Sequence, residues 1–123
     1  MNKDKLKQHI SNMYSKLYNS KKEILGYKFD SDYHADSIFV YSENDASVYY
    51  CSPAWEFNYY EDCEFAYDNT IPISFQVCDG SGYYSENDYK EVDMVLTYDL
   101  DTDINNYYKI VESYLTEINK KII

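Results

Sequence analysis

Hydrophobic residues recur with two different periods along this chain, and the change of period divides it into three parts. Over residues 3–25, Leu6, Ile10, Met13, Leu17 and Ile24 follow the three-four spacing of one helical face, while Lys5, Lys7, Lys16, Lys21 and Lys22 lie mostly off it. This predicts an amphipathic helix, with Gly26 as its C-terminal stop. Over 103–120 the helical period returns in Ile104, Tyr107 or Tyr108, Val111, Leu115 and Ile118. Thr102 or Asp103 can cap the start of this second helix, and Lys120 and Lys121 suit its end.

Between the helices the period is two. Ile71, Ile73, Phe75 and Val77 alternate with Pro72, Ser74, Gln76 and Cys78. Val92, Met94, Leu96 and Tyr98 alternate with Glu91, Asp93, Val95, Thr97 and Asp99 across 91–99. Over 56–68, Phe57, Tyr59, Cys63, Phe65 and Tyr67 alternate with Glu56, Asn58, Tyr60, Asp62, Glu64, Ala66 and Asp68, with a break at Glu61 where a bulge or bend fits. Segments 37–42 and 46–51 are apolar on both faces and read as central strands; 27–33 is a weaker strand. Turn residues separate these runs at Asn44-Asp45, Asp68-Asn69 and Asp79-Gly80. The pattern predicts one α+β domain over 1–123. Its antiparallel sheet would have about five to six strands, with both flanking helices on one face.

Charge sharpens this picture. Between Gly26 and Asp103 there are 18 Asp and Glu residues against two lysines, Lys28 and Lys90, a net charge of −16. The first 25 residues carry +4 and the last 20 carry +1, which together give the −11 of the whole chain. The same middle holds 12 of the 17 tyrosines. Arginine is absent, and Lys, Asn, Tyr and Ile are plentiful, as an AT-rich coding sequence would produce. Such a bias favours lysine everywhere, so it does not explain a middle nearly empty of it. A concentrated negative field repels itself, argues against direct binding of nucleic acid or an anionic membrane, and favours a basic protein partner.

The strand pattern turns that charge into a surface. If the aromatic phase of 56–68 faces the helices, Glu56, Tyr60, Asp62, Glu64 and Asp68 face outward. Glu91, Asp93 and Asp99 do so by the same logic, and Glu86 and Asp88 lie in the polar loop 79–90. Alternate residues on a strand are about 6.6 Å apart, and one DNA strand carries a charge about every 3.4 Å of axis. Rows of carboxylates can therefore imitate a phosphate array in sign and coarse spacing. Tyr60, Tyr83, Tyr84 and Tyr89 would add stiff amphipathic contact area among the acids. The opposing reading is an ordinary solvated sheet face, which normally mixes both signs.

Other constellations are weaker. Asp32-x-His34-x-Asp36 carries metal-ligand residue types but has no second histidine nearby, and a polar turn suits it better. Asp99-x-Asp101-x-Asp103 opens like a calcium loop, yet Ile104 stands at the required glycine and Ile110 at the required glutamate. It reads as a helix-capping acidic turn. Asp79-Gly80-Ser81-Gly82 lacks the lysine of a phosphate cradle. Cys51, Cys63 and Cys78 form no C-x-x-C pair, and no electropositive feature activates Cys51 toward His34. Buried thiols in a reducing cytoplasm are expected. Trp55 is either a binding anchor or a lid on the core. Tyr41-Ser42-Glu43-Asn44-Asp45 returns as Tyr84-Ser85-Glu86-Asn87-Asp88, two similar turns without a longer duplication. The N-terminus enters a charged helix with no apolar leader, and no run approaches a membrane span.

The central acids, from Glu56 through Asp103, make the chain resemble the small acidic inhibitors encoded by phages and mobile elements, of the anti-CRISPR and anti-restriction type. The resemblance is one of composition and assigns no residue a role. It implies a non-enzymatic, cofactor-free inhibitor that occupies the basic nucleic-acid groove of a defence enzyme or nuclease. An immunity protein neutralising a basic toxin, or a small ligand-binding or interaction domain using loop 79–90 and His34, are the alternatives.

Overall fold

The computed structural model describes residues 3–31, 38–54, 69–78 and 89–122. The chain runs α1 (Lys3–Tyr18), β1 (Glu23–Ile24), β2 (Tyr27–Ser31), β3 (Ile38–Ser42), β4 (Asp45–Pro53), β5 (Thr70–Cys78), β6 (Lys90–Val95) and α2 (Leu100–Ile122). The strands form one antiparallel sheet in the order β1-β2-β3-β4-β5-β6. This is the expected α+β architecture. The expected strand 56–68, the 32–36 triplet, Trp55, Cys63 and the loop 79–88 lie outside the described residues.

One sheet face is apolar and faces the helices. Tyr27 and Phe29, Ile38 and Val40, Tyr49 and Cys51, Ile71, Ile73 and Phe75, and Met94 are all buried in alternation. They share a core with Leu6, Ile10, Met13 and Leu17 of α1 and with Ile104, Tyr107, Val111 and Leu115 of α2. Aromatic rings fill much of it: Phe75 stacks on Tyr114 with centroids 4.0 Å apart, and Phe29 meets Tyr107 and Tyr108 at 6.1 and 5.4 Å. Tyrosine hydroxyls buried here find backbone acceptors. Tyr14 donates to the Pro53 carbonyl at 2.7 Å and Tyr107 to the Cys51 carbonyl at 2.7 Å. A core rich in tyrosine is thus satisfied polar atom by polar atom.

Three element boundaries differ from the sequence pattern. The first helix ends at Tyr18, not at residue 25. Ile24 continues the helical spacing but is buried from β1. Leu25 and Gly26 then form a two-residue hairpin, both with positive φ (52° and 84°), pairing Ile24 with Tyr27. Gly26 is therefore a turn residue and not a helix stop. A Cβ there would meet nothing within 4 Å, so backbone conformation and not space calls for glycine.

Strand β6 stops at Val95, short of the expected 99, and α2 begins at Leu100, ahead of the expected 103. The cap is Asp99, whose carboxylate accepts the Thr102 amide at 3.1 Å and the Thr102 hydroxyl at 2.5 Å. Thr102 and Asp103 are not caps. Asp103 turns inward and is wholly buried, accepting from the Thr97 amide and hydroxyl at 2.9 Å each and the Tyr98 amide at 3.1 Å. His9 of α1 completes the set, its Nε2 2.6 Å from Asp103 Oδ2. Four donors around one buried carboxylate close the turn between β6 and α2 and tie α1 to it.

Replacing Asp103 by Ala leaves two amides, a hydroxyl and His9 without their acceptor. A loss of about 3–5 kcal/mol is expected from urea unfolding. Asp99→Ala, at the exposed cap, is expected to cost clearly less in the same measurement.

Candidate partner-binding surface

Among the expected surface residues, Glu91 and Asp93 fall within the described structure. Glu56, Tyr60, Asp62, Glu64, Asp68, Glu86 and Asp88 lie outside it. On β6, Glu91 and Asp93 are exposed while Met94 between them and the next turn is buried and Val92 is half-buried, so the period-two reading places both acids on the outer phase. Pairing sets Glu91 beside Ser74 and Asp93 beside Pro72. The Tyr89 hydroxyl donates to Glu91 Oε1 at 2.5 Å and lies 3.3 Å from Ser74 Oγ. Tyr89 is itself 46% exposed, as expected for a tyrosine among acids.

Lys90 has the opposite phase. It pairs with Phe75 on the helix side, and its Nζ donates to Glu117 of α2 at 2.9 Å. One of the two lysines of the acidic middle is thus engaged by a helix glutamate and turned away from Glu91 and Asp93. The other, Lys28, is exposed on β2 opposite Tyr41.

Across the outer face, register aligns Asp30, Phe39, Tyr50 and Gln76 in one row. Phe39 lies 6.2 Å from Tyr41 and 5.5 Å from Tyr50 between ring centroids, and all three are half-buried. The described outer face therefore carries an aromatic strip in the middle of the sheet. Exposed carboxylates flank it, Asp30 on one side and Glu91 and Asp93 on the other.

Several acids serve the fold instead, which the sequence pattern does not distinguish. Asp99 caps α2, Asp101 pairs with Lys16, and Asp103 is buried. Asp99 was expected on a strand's solvent face; it is exposed, but in a loop, where hydrogen bonds from the Thr102 hydroxyl and amide hold its carboxyl below the usual range. The three aspartates point to separate partners and do not converge. Among the described residues, no three His, Cys, Asp or Glu side chains gather as metal ligands.

Asp45 is a further internal acid. It accepts the Tyr49 hydroxyl at 2.6 Å, the Tyr27 hydroxyl at 2.8 Å and the Ser47 amide at 2.9 Å. Burial alone would raise its carboxyl, but these three donors outweigh burial and hold it below the ordinary value. Burial and the Asp45 carboxylate together push the Tyr27 hydroxyl up to about 12 and raise Tyr49 as well. Burial pushes the Cys51 thiol up to about 12, partly offset by the Tyr107 hydroxyl 3.1 Å from its Sγ. A thiol so disposed stays protonated and is a core residue, not a nucleophile.

On the helix side, α1 and α2 border an open groove lined by Asn12, Ser15, Lys16, Asn105 and Tyr108, with Ile104 at its base. No described helix is long and apolar enough to cross a membrane. Compared with known proteins, the chain matches no family model, no curated protein and no solved structure.

The raised groups predict alkaline instability. Tyr27 and Cys51 hold their protons in the fold, whereas in the unfolded chain they release them near 10.0 and 9.0. Their contribution is complete below those values and is lost as pH rises toward about 12. The urea midpoint should fall between about pH 8 and about pH 11, and less steeply for Tyr27→Phe. An identical slope in that variant would show that Tyr27 does not contribute. At the acid end the sign reverses: Asp45 stabilises above 3.8 and its contribution disappears as pH drops through its lowered folded value.

Proposed function

We propose that this protein is a non-enzymatic inhibitor that binds the basic, nucleic-acid-holding surface of another protein through its acidic sheet. The observation that carries this reading is the net charge of −16 between Gly26 and Asp103. The arrangement on β6 agrees with it, with Glu91 and Asp93 outward and Lys90 drawn back onto Glu117. An ordinary solvated strand would interleave both signs on its outer face.

The mechanism is exclusion by charge and contact. Carboxylates at strand spacing steer the protein toward a cationic groove and raise the association rate. Rings at the centre of the face, Phe39, Tyr41 and Tyr50, would then be desolvated and set the residence time. While they remain seated, nucleic acid cannot enter. A defence enzyme or nuclease fits this description of the partner, in keeping with the anti-CRISPR or anti-restriction resemblance, and so does a basic toxin.

The partner should be retained from lysate at low salt, released by high salt, and displaced by excess duplex DNA. Changing Glu56, Asp62, Glu64 and Asp68 to their amides should leave the fold intact by circular dichroism and weaken retention by at least tenfold. Retention of the same proteins by the four-fold variant, or indifference to DNA, would sink this function.

A further inference from the structure

The backbone of β6 adds something that charge alone does not. A residue's N–H and C=O leave a strand on the same side, and successive residues alternate sides. Pro72 has no N–H, and its carbonyl accepts the Ala54 amide at 2.7 Å, so Pro72 faces β4. Its neighbours Ile71, Ile73 and Phe75 consequently face β6, opposite Met94, Val92 and Lys90. The Leu96 amide, donating to the Asn69 carbonyl at 2.7 Å, continues the same phase. Glu91, Asp93 and Val95 are left with their backbone groups directed to the outer edge of the sheet. Among the described residues, nothing pairs with that edge.

The same three residues have exposed side chains, Val95 at 63%. The usual devices that blunt an edge are proline, a bulge or an outward lysine. Strand β6 has no proline, its register with β5 is unbroken over six pairs, and its lysine is held by Glu117. What guards it is negative charge. A second copy pairing antiparallel about residue 92 would set Glu91 of each copy against Asp93 of the other, which is unfavourable. A strand carrying lysine or arginine at alternate positions meets complementary charge instead.

Resting on the function proposed above, we infer that the outer edge of β6 recognises its partner by strand addition. An extended basic segment of the partner pairs with the backbone of Glu91, Asp93 and Val95, and its cationic side chains lie against Glu91 and Asp93. Backbone pairing supplies affinity that survives moderate salt, and the carboxylates supply selectivity.

The test uses the full chain and a fluorescent peptide alternating lysine and valine. A second peptide has the same residues but N-methyl groups along one edge, which keeps the charge and removes the donors. Fluorescence anisotropy should show the first peptide binding at least tenfold more tightly than the second. Val95→Pro removes one outward N–H without touching the β5 ladder or either carboxylate, at a place where an edge strand tolerates proline. It should weaken the first peptide about as much as N-methylation does, with a urea midpoint near that of the parent. Equal binding of both peptides would overturn strand pairing while leaving the acidic-surface function standing. No binding of either peptide overturns it too. A dimer in sedimentation that Val95→Pro dissolves would assign the edge to a second copy and overturn the choice of partner.

Discussion

The fold turns on a single buried carboxylate. Asp103 sits where β6 ends, where α2 begins and where α1 crosses, and all three meet on its two oxygens. A buried charge is tolerable only when its hydrogen-bonding capacity is met. Here Thr97, Tyr98 and His9 meet it, and this fixes the local path. Tyr98 takes a left-handed φ of 65°, uncommon for a bulky residue. The Asp103 bond to its amide, His9 packed 5.1 Å from its ring and Lys5 4.6 Å above the ring together hold it there. The strain is over-determined by its surroundings.

The acidic residues divide into two populations with the same composition and opposite roles. Asp45, Asp99, Asp101 and Asp103 have donors supplied within the chain. Glu91 and Asp93 stand on the outer face of the sheet, where the one donor to Glu91 is the exposed Tyr89 hydroxyl on the same face. Lysines have a matching internal use: Lys5 lies over Tyr98, Lys22 over Tyr108, Lys16 pairs with Asp101 and Lys90 with Glu117. These four lysines lie along the helix layer and its seams, Lys28 stands on the outer face of β2, and the outer β6 phase keeps its sign. A charge total cannot separate these populations, because it counts Asp103 and Asp93 alike.

What the sequence reveals follows from how local the cause is. Alternation at 71–78 and 91–95 locates two strands and both faces of each, since the period of a strand is a local property. The end of α1 is not legible, because Ile24 satisfies the helical spacing and is buried either way. The Leu25-Gly26 hairpin has a leucine where asparagine or aspartate is usual, so the turn lacks its customary signal. The His9–Asp103 contact joins residues 94 apart with no periodic trace in between. For the candidate surface, the exposure of Glu91 and Asp93 is readable from phase. Which of their backbone groups face outward depends on pairing with β5, a register visible only in the structure, where the Pro72 carbonyl accepts the Ala54 amide from the β4 side.

The sheet order has a kinetic corollary. Every strand pairs with its neighbour in the chain, so the sheet is a meander whose β1-β2 and β3-β4 turns are two residues long. Such contacts close small loops and lose little chain entropy before they form. The expensive closures are those that seat α1, where Tyr14 reaches Pro53 across 39 positions and His9 reaches Asp103 across 94. Folding of this chain is therefore a matter of local hairpins followed by a late clasp between its two ends.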